Sequence, residues 1–242
     1  ERTYVRPEIF SYVFLALSVA ILYRFREKYS RIIFFLVPLQ LLWVNMHIYF
    51  IVGIFVIGLF LLEAIILFRK KYNKHYVLTL FSVFCLTIII SCINPSGIKA
   101  VLFPFSLPTE YGFSIAENSN IFAVEKMRQG IIYSILIFKI LAFILLASLI
   151  LTWKKSRLID WLISLSFIIA AVVVIRNLPL FVFATFIPFC FTASLLLASY
   201  FNPIKKYVFS KIDRGSLIKL LSFGFLILIL FLALKSIVMV MA

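Results

Sequence analysis

Long apolar runs alternate with short polar or basic interruptions along this chain. The longest, 32–68, is broken by the polar island Trp43-Val44-Asn45-Met46-His47. A hydrocarbon core is crossed by about 20 helical residues, so this run is too long for one span. It reads as two helices meeting at a tight turn at the membrane surface. Segments of the same kind fall near 8–23, 32–44, 48–68, 77–93, 131–152, 159–175, 178–200 and 216–240. The pattern predicts an all-α fold: a polytopic transmembrane helical bundle of about eight spans, forming a single transmembrane domain over 1–242.

Two interruptions stand out beside the island. The connection 94–130 opens with Asn94-Pro95-Ser96-Gly97, a turn signal that ends the preceding helix. Apolar residues recur through 98–105 and 113–124, which predicts short helices lying along the membrane surface. A loop this long and this apolar is expected to be functional rather than disordered. The other interruption is Arg176-Asn177-Leu178-Pro179, a short break between two apolar runs with Pro179 placed to open the next helix.

Composition narrows the class. The 242 residues are 64% hydrophobic and 14% charged, with a mean hydropathy of +1.16, far above what a soluble domain needs. The formal charge of +15 would suit nucleic acid, but its distribution argues for no nucleic-acid partner. The basic clusters Arg24/Arg26/Lys28/Arg31, Arg69/Lys70/Lys71/Lys74, Lys154/Lys155/Arg157 and Lys205/Lys206/Lys211/Arg214 sit in alternate connections. That is the positive-inside pattern, so the N-terminus is expected outside and these clusters beside anionic headgroups of the lipid bilayer. The chain is therefore expected to be a multi-pass integral membrane protein. Cys85, Cys92 and Cys190 lie in apolar runs and read as small core hydrophobes. Cys85 and Cys92 share a helix face but lie about 10 Å apart, too far to bridge.

On the expected outer side the candidate chemistry is Arg6-Pro7-Glu8, Trp43/Asn45/His47, the loop carboxylates Glu110, Glu117 and Glu125, and Arg176/Asn177. Arg176 departs from the positive-inside trend, and a guanidinium matches phosphate geometry in a bidentate way; a snorkelling interfacial arginine reads equally from the sequence. Trp43 also fits an aromatic-belt anchor, and His47 a hydrogen-bonded interfacial histidine. Trp43 and His47 are four residues apart and share a helical face, with Asn45 pointing elsewhere; a broken helix would free all three to line one pocket. Glu63 and Lys139 lie within spans and are expected to snorkel or to be paired in the bundle. No metal site is expected, because no second ligand stands at a metal-binding spacing from His47. Ser-His-Asp, Walker, CxxC and HExxH motifs are absent from the sequence.

Taken together, Arg6-Pro7 opening a span, Trp43-Val44-Asn45-Met46-His47, Asn94-Pro95-Ser96-Gly97 and Arg176-Asn177-Leu178-Pro179-Leu180-Phe181 resemble bacterial GT-C membrane glycosyltransferases. These are the enzymes similar to protein mannosyltransferases and lipid A aminoarabinose transferases. The ordered set covers most of the chain. The resemblance implies location in the bacterial inner (plasma) membrane and transfer of a sugar from a polyprenyl-phosphate donor to an acceptor at the outer face. It implies Arg176 as holder of the donor phosphate, Arg6, Trp43, Asn45, His47 and Asn177 as pocket groups, and Glu117 as the carboxylate facing the pocket. The family pattern has tryptophan after that glutamate, whereas this chain has Asn118. It also implies a first outer loop with a catalytic aspartate, sometimes with a divalent cation. No aspartate lies on the expected outer side, so a missing N-terminal portion or a partner chain is expected to supply the base. An O-antigen ligase or polymerase, and a non-catalytic transporter subunit or scaffold that binds lipid, are the alternatives.

Overall fold

The computed structural model describes residues 7–110, 118–127 and 133–205, with side chains described for 7–105, 118–127 and 133–198. The described residues form nine α-helices and no strand. They are α1 (Glu8–Glu27), α2 (Leu36–Met46), α3 (Phe50–Ile66), α4 (Lys74–Ile90), α5 (Ile98–Glu110), α6 (Ile121–Met127), α7 (Tyr133–Leu151), α8 (Leu158–Val173) and α9 (Leu178–Lys205). Short 3-10 helices precede α2 (Arg31–Phe35) and α9 (Ile175–Asn177). The expected segments between 8 and 200 thus coincide with helices. The expected eighth segment, 216–240, lies outside the described residues, as do Arg6 and Glu117.

Local chemistry explains the boundaries. Glu8 sits in the first turn of α1 and Arg24 and Arg26 in its last, each complementing the helix dipole. The helix α2 stops where His47 turns extended, its N–H still donating to the Trp43 carbonyl at 3.0 Å. Asn73 caps α4 by accepting the Tyr76 N–H at 2.8 Å. After α4 the Asn94 side chain organises the predicted turn: its Oδ1 accepts from Ser96 N at 2.9 Å and its Nδ2 donates to the Ser91 and Gly97 carbonyls. Gly97 has φ of +56°, which an L side chain rarely adopts.

Helices α1, α3, α8 and α9 pack in a ring, each against the next. The pair α2 and α4 lies outside α1 and α3, and α7 lies outside α8 and α9. Close approach of α2 and α3 depends on Gly53, where a Cβ would stand 2.8 Å from both Gln40 Oε1 and Trp43 Cζ3. The buried core includes Leu15, Leu22, Trp43, Phe60, Leu145 and Ile163. Large apolar side chains also cover the outside, among them Phe10, Leu42, Ile89, Phe143 and Ile169. Apolar exposure on this scale fits lipid as the surrounding solvent. Three helical segments, 8–27, 133–151 and 175–198, are long and apolar enough to cross a membrane, and α2, α3, α4 and α8 are shorter apolar helices. The structure is that of a helical membrane protein.

The two ends of the bundle differ. At one end the basic turns meet: Tyr29 pairs with His75 at 3.0 Å, and Arg157 donates to Glu27 at 3.1 Å. Two buried acids find partners there. Arg26 grips Glu63 through both carboxylate oxygens at 2.9 and 2.8 Å, and Tyr23 donates to Asp160 at 2.6 Å. Glu63 is thus paired in the bundle. Lys139, on the other hand, reaches Glu125 of α6 at 2.7 Å in an exposed ion pair. The three cysteines are unbridged, but Cys92 is exposed at the end of α4, outside the core position expected for it. It follows Ser91, whose buried hydroxyl takes the inward face of that turn.

Candidate functional site

The opposite end of the bundle collects polar groups from three distant stretches of chain. The first turn and a half of α1 supplies Glu8, Ser11 and Tyr12. The α2–α3 turn supplies Trp43, His47 and Tyr49, and the 3-10 helix before α9 supplies Arg176 and Asn177. Helix α1 packs against both α2 and α9, which is why these segments meet.

The centre is an ion pair between Arg176 Nη2 and Glu8 Oε1. The Glu8 side chain is 6% exposed while Arg176 keeps 31% of its side chain open. A carboxylate buried this deeply requires a cation, and the guanidinium supplies it in a charge-assisted bond. Tyr12 Oη donates to the other Glu8 oxygen at 3.4 Å. The Arg176 guanidinium lies 5.7 Å from the centroid of the Tyr49 ring. Tyr49 Oη in turn donates to Asn177 Oδ1 at 3.4 Å, and Asn177 Nδ2 donates to the Ala170 carbonyl at 3.1 Å. Asn177 therefore orients Tyr49 and ties the break to the end of α8.

One turn along α1 lies a second group. Trp43 Nε1 donates to Ser11 Oγ at 2.9 Å, and Ser11 Oγ lies 3.0 Å from His47 Nδ1. The Tyr49 amide N–H also reaches His47 Nδ1, at 3.3 Å. Burial pushes the His47 imidazole below its ordinary pKa; Glu8 pulls it up and Arg176 pushes it further down. Ser119, just before α6, accepts the Ile175 N–H at 3.1 Å, so the long connection is anchored beside Arg176.

Among the residues picked out from sequence, Trp43, His47, Arg176 and Asn177 are brought into one cluster. Trp43 is fully buried against α1, and so does not serve as an interfacial belt residue. Asn45 points away from the cluster, because α2 runs unbroken through Met46 and keeps it on another face. Its Nδ2 donates to the Leu41 and Ile93 carbonyls at 2.8 and 3.1 Å, holding the end of α2 to the end of α4. Glu125 is taken by Lys139 and belongs to a different surface. Glu110 lies in α5 beyond the described side chains.

Among the described residues Glu8 is a carboxylate paired with Arg176; Glu117, the carboxylate expected to face the pocket, lies outside them. The available signal was the spacing of Glu8, Ser11 and Tyr12, which puts all three on one helical face. The part played by Tyr49 carried no such signal. Among the described residues no three His, Cys, Asp or Glu side chains gather in metal-binding geometry. Comparison with protein-family models, with curated proteins and with solved structures finds no match.

Proposed function

We propose that this chain is an eight-span membrane protein of the bacterial inner membrane, N-terminus outside, that acts in glycosyl transfer from a polyprenyl-phosphate donor. The observation that supports this reading is the convergence of Glu8, the Trp43–His47 island and Arg176–Asn177 at the basic-poor end of the bundle. The island and the break are two of the four motifs that resemble GT-C enzymes, Glu8 directly follows a third, Arg6-Pro7, and Ser96 of the fourth, Asn94–Gly97, lines a groove with His47. In such a transfer an acceptor oxygen attacks the anomeric carbon, the bond from that carbon to the donor phosphate breaks, and the phosphate leaves with the extra negative charge. Arg176 holds that phosphate at the mouth of the site, with Glu8 fixing the guanidinium from behind. The proton released by the acceptor goes to a carboxylate base, for which Glu117 and an upstream aspartate are the candidates.

A purely structural role has one observation in its favour: Glu8 already neutralises Arg176. A single experiment separates the two. The full-length protein in nanodiscs is titrated with a long-chain polyprenyl phosphate, followed by native mass spectrometry. Loss of charge-assisted bonds worth about 1.5–3 kcal/mol predicts roughly 10- to 100-fold weaker binding by Arg176→Ala. Because that variant leaves Glu8 buried and unpaired, the double variant Glu8→Gln/Arg176→Ala is measured beside it. Recovered stability with binding still lost supports the proposal; a double variant that binds as the wild type does refutes it.

A further inference from the structure

His47 has a fixed chemical polarity. An indole N–H only donates, so Ser11 Oγ accepts from Trp43 and has its own hydrogen to give to His47 Nδ1. The Tyr49 amide can likewise only donate to that nitrogen. With Nδ1 accepting, the neutral ring carries its proton on Nε2, and among the described residues no hydrogen bond reaches Nε2. Burial of the ring disfavours a second proton.

His47 also lines a groove of about 450 Å³ between the α2–α3 turn and the start of α5. Ser96 and Lys99 stand in that wall too, and among the described residues no carboxylate does. Val44, Ile48 and Phe103 make much of the remainder. Around Asn45 and Met46 the groove meets a second cleft, of about 590 Å³, where Leu41, Leu42 and Ile93 lie between the ends of α2 and α4. Leu42 and Ile93 there face outward, toward the lipid. A donor-rich head therefore opens into an apolar channel at the edge of the bundle.

We infer that this groove is a second site, which binds the phosphate of an anionic lipid on Lys99, Ser96 and the Nε2–H of His47 and lays an acyl chain along α2 and α4. Every polar group named donates or can donate, which complements a phosphate with its several acceptor oxygens. The adjoining cleft explains a lipid where a free phosphate would need only the head. The site shares His47 with the first cluster but does not use Arg176.

Having only two histidines, the protein suits ring-nitrogen NMR of histidine-labelled full chain in phosphatidylcholine nanodiscs. The His75→Gln variant assigns the two sets of signals, and in other samples His75, packed against Tyr29 at the far end, reports folding. Dioctanoyl phosphatidic acid is expected to shift the His47 Nε2 signal saturably. Lys99→Ala and Lys99→Gln should weaken that response roughly five-fold, the order expected of one lysine near an anionic lipid. Arg176→Ala should leave it in place. An absent shift overturns the inference, as does a shift that survives in both Lys99 variants and vanishes in Arg176→Ala, which would put the lipid at the first site. Saturation by inorganic phosphate at equal concentration overturns the assignment to a lipid.

Discussion

Glu63→Ala would remove a carboxylate that holds three elements at once. Both its oxygens take Arg26 of α1, Oε2 also accepts from Tyr72 in the α3–α4 turn at 3.0 Å, and Oε1 accepts the Ile159 N–H of α8 at 3.3 Å. The Glu63 and Arg26 side chains are 1% and 6% exposed. Alanine therefore strands a guanidinium, a phenol and an amide N–H away from water. Breaking a buried pair from one side costs about 3–5 kcal/mol. With about 2–4 °C of melting temperature per kcal/mol for a chain of this size, the expected fall is roughly 6–20 °C. Removing both charges together, as Arg26→Met/Glu63→Leu, leaves only the weaker donors unmet and should recover half of the loss or more. In a Cys92→Ser background, which removes the exposed thiol, a thiol-reactive dye can follow unfolding through the half-buried, unbridged Cys85 and Cys190. A fall below about 2 °C for Glu63→Ala, or a double variant less stable than the single, would refute the view that these charges are held away from water.

Two further expectations concern the other end. Gly53→Val places a branched side chain where even a Cβ stands 2.8 Å from the pinned Trp43 ring and from Gln40, which is tied to Phe50 and Ser91. A cost of about 1–3 kcal/mol and altered tryptophan fluorescence should result, and an unchanged melting temperature would refute the close packing. Since burial holds His47 below its unfolded value of about 6.5, the unfolded state takes up that proton first as the pH falls. Stability should therefore decline from about pH 7 towards pH 5, and His47→Gln should flatten the decline; an equal slope in the variant would show that His47 does not cause it.

Helix positions were legible because apolar runs and their interruptions are long-range features of composition. The turn expected at the island falls at 47–49, with α2 running through Met46, the break 176–179 begins in the 3-10 helix before α9, and the basic turns at 24–31, 69–74 and 154–157 gather at one end. The partnerships were less legible. Glu8 and Arg176 are separated by most of the chain, and only the packing of α1 against α9 makes them neighbours. The Trp43–His47 pairing followed from helical spacing, but their common acceptor, Ser11, is an inconspicuous residue in an apolar run. Asn45 faces away from Arg176: its side chain closes a helix end and borders the neighbouring groove. Cys92 shows that an apolar neighbourhood in sequence need not be a buried one.

Helix α1 carries Glu8 near its first residue and Arg26 near its last, each locked to a different part of the chain. Eighteen residues separate them, about 27 Å of helix, close to the roughly 30 Å of a hydrocarbon core. The helix thus acts as a ruler between two fixed charge pairs, and the depth of Arg176 is set by the far interface as much as by its own. A thinner or thicker bilayer cannot be met by sliding α1 without opening one of the pairs. Lipid thickness would then reach the site as a mechanical input, transmitted along one rigid rod.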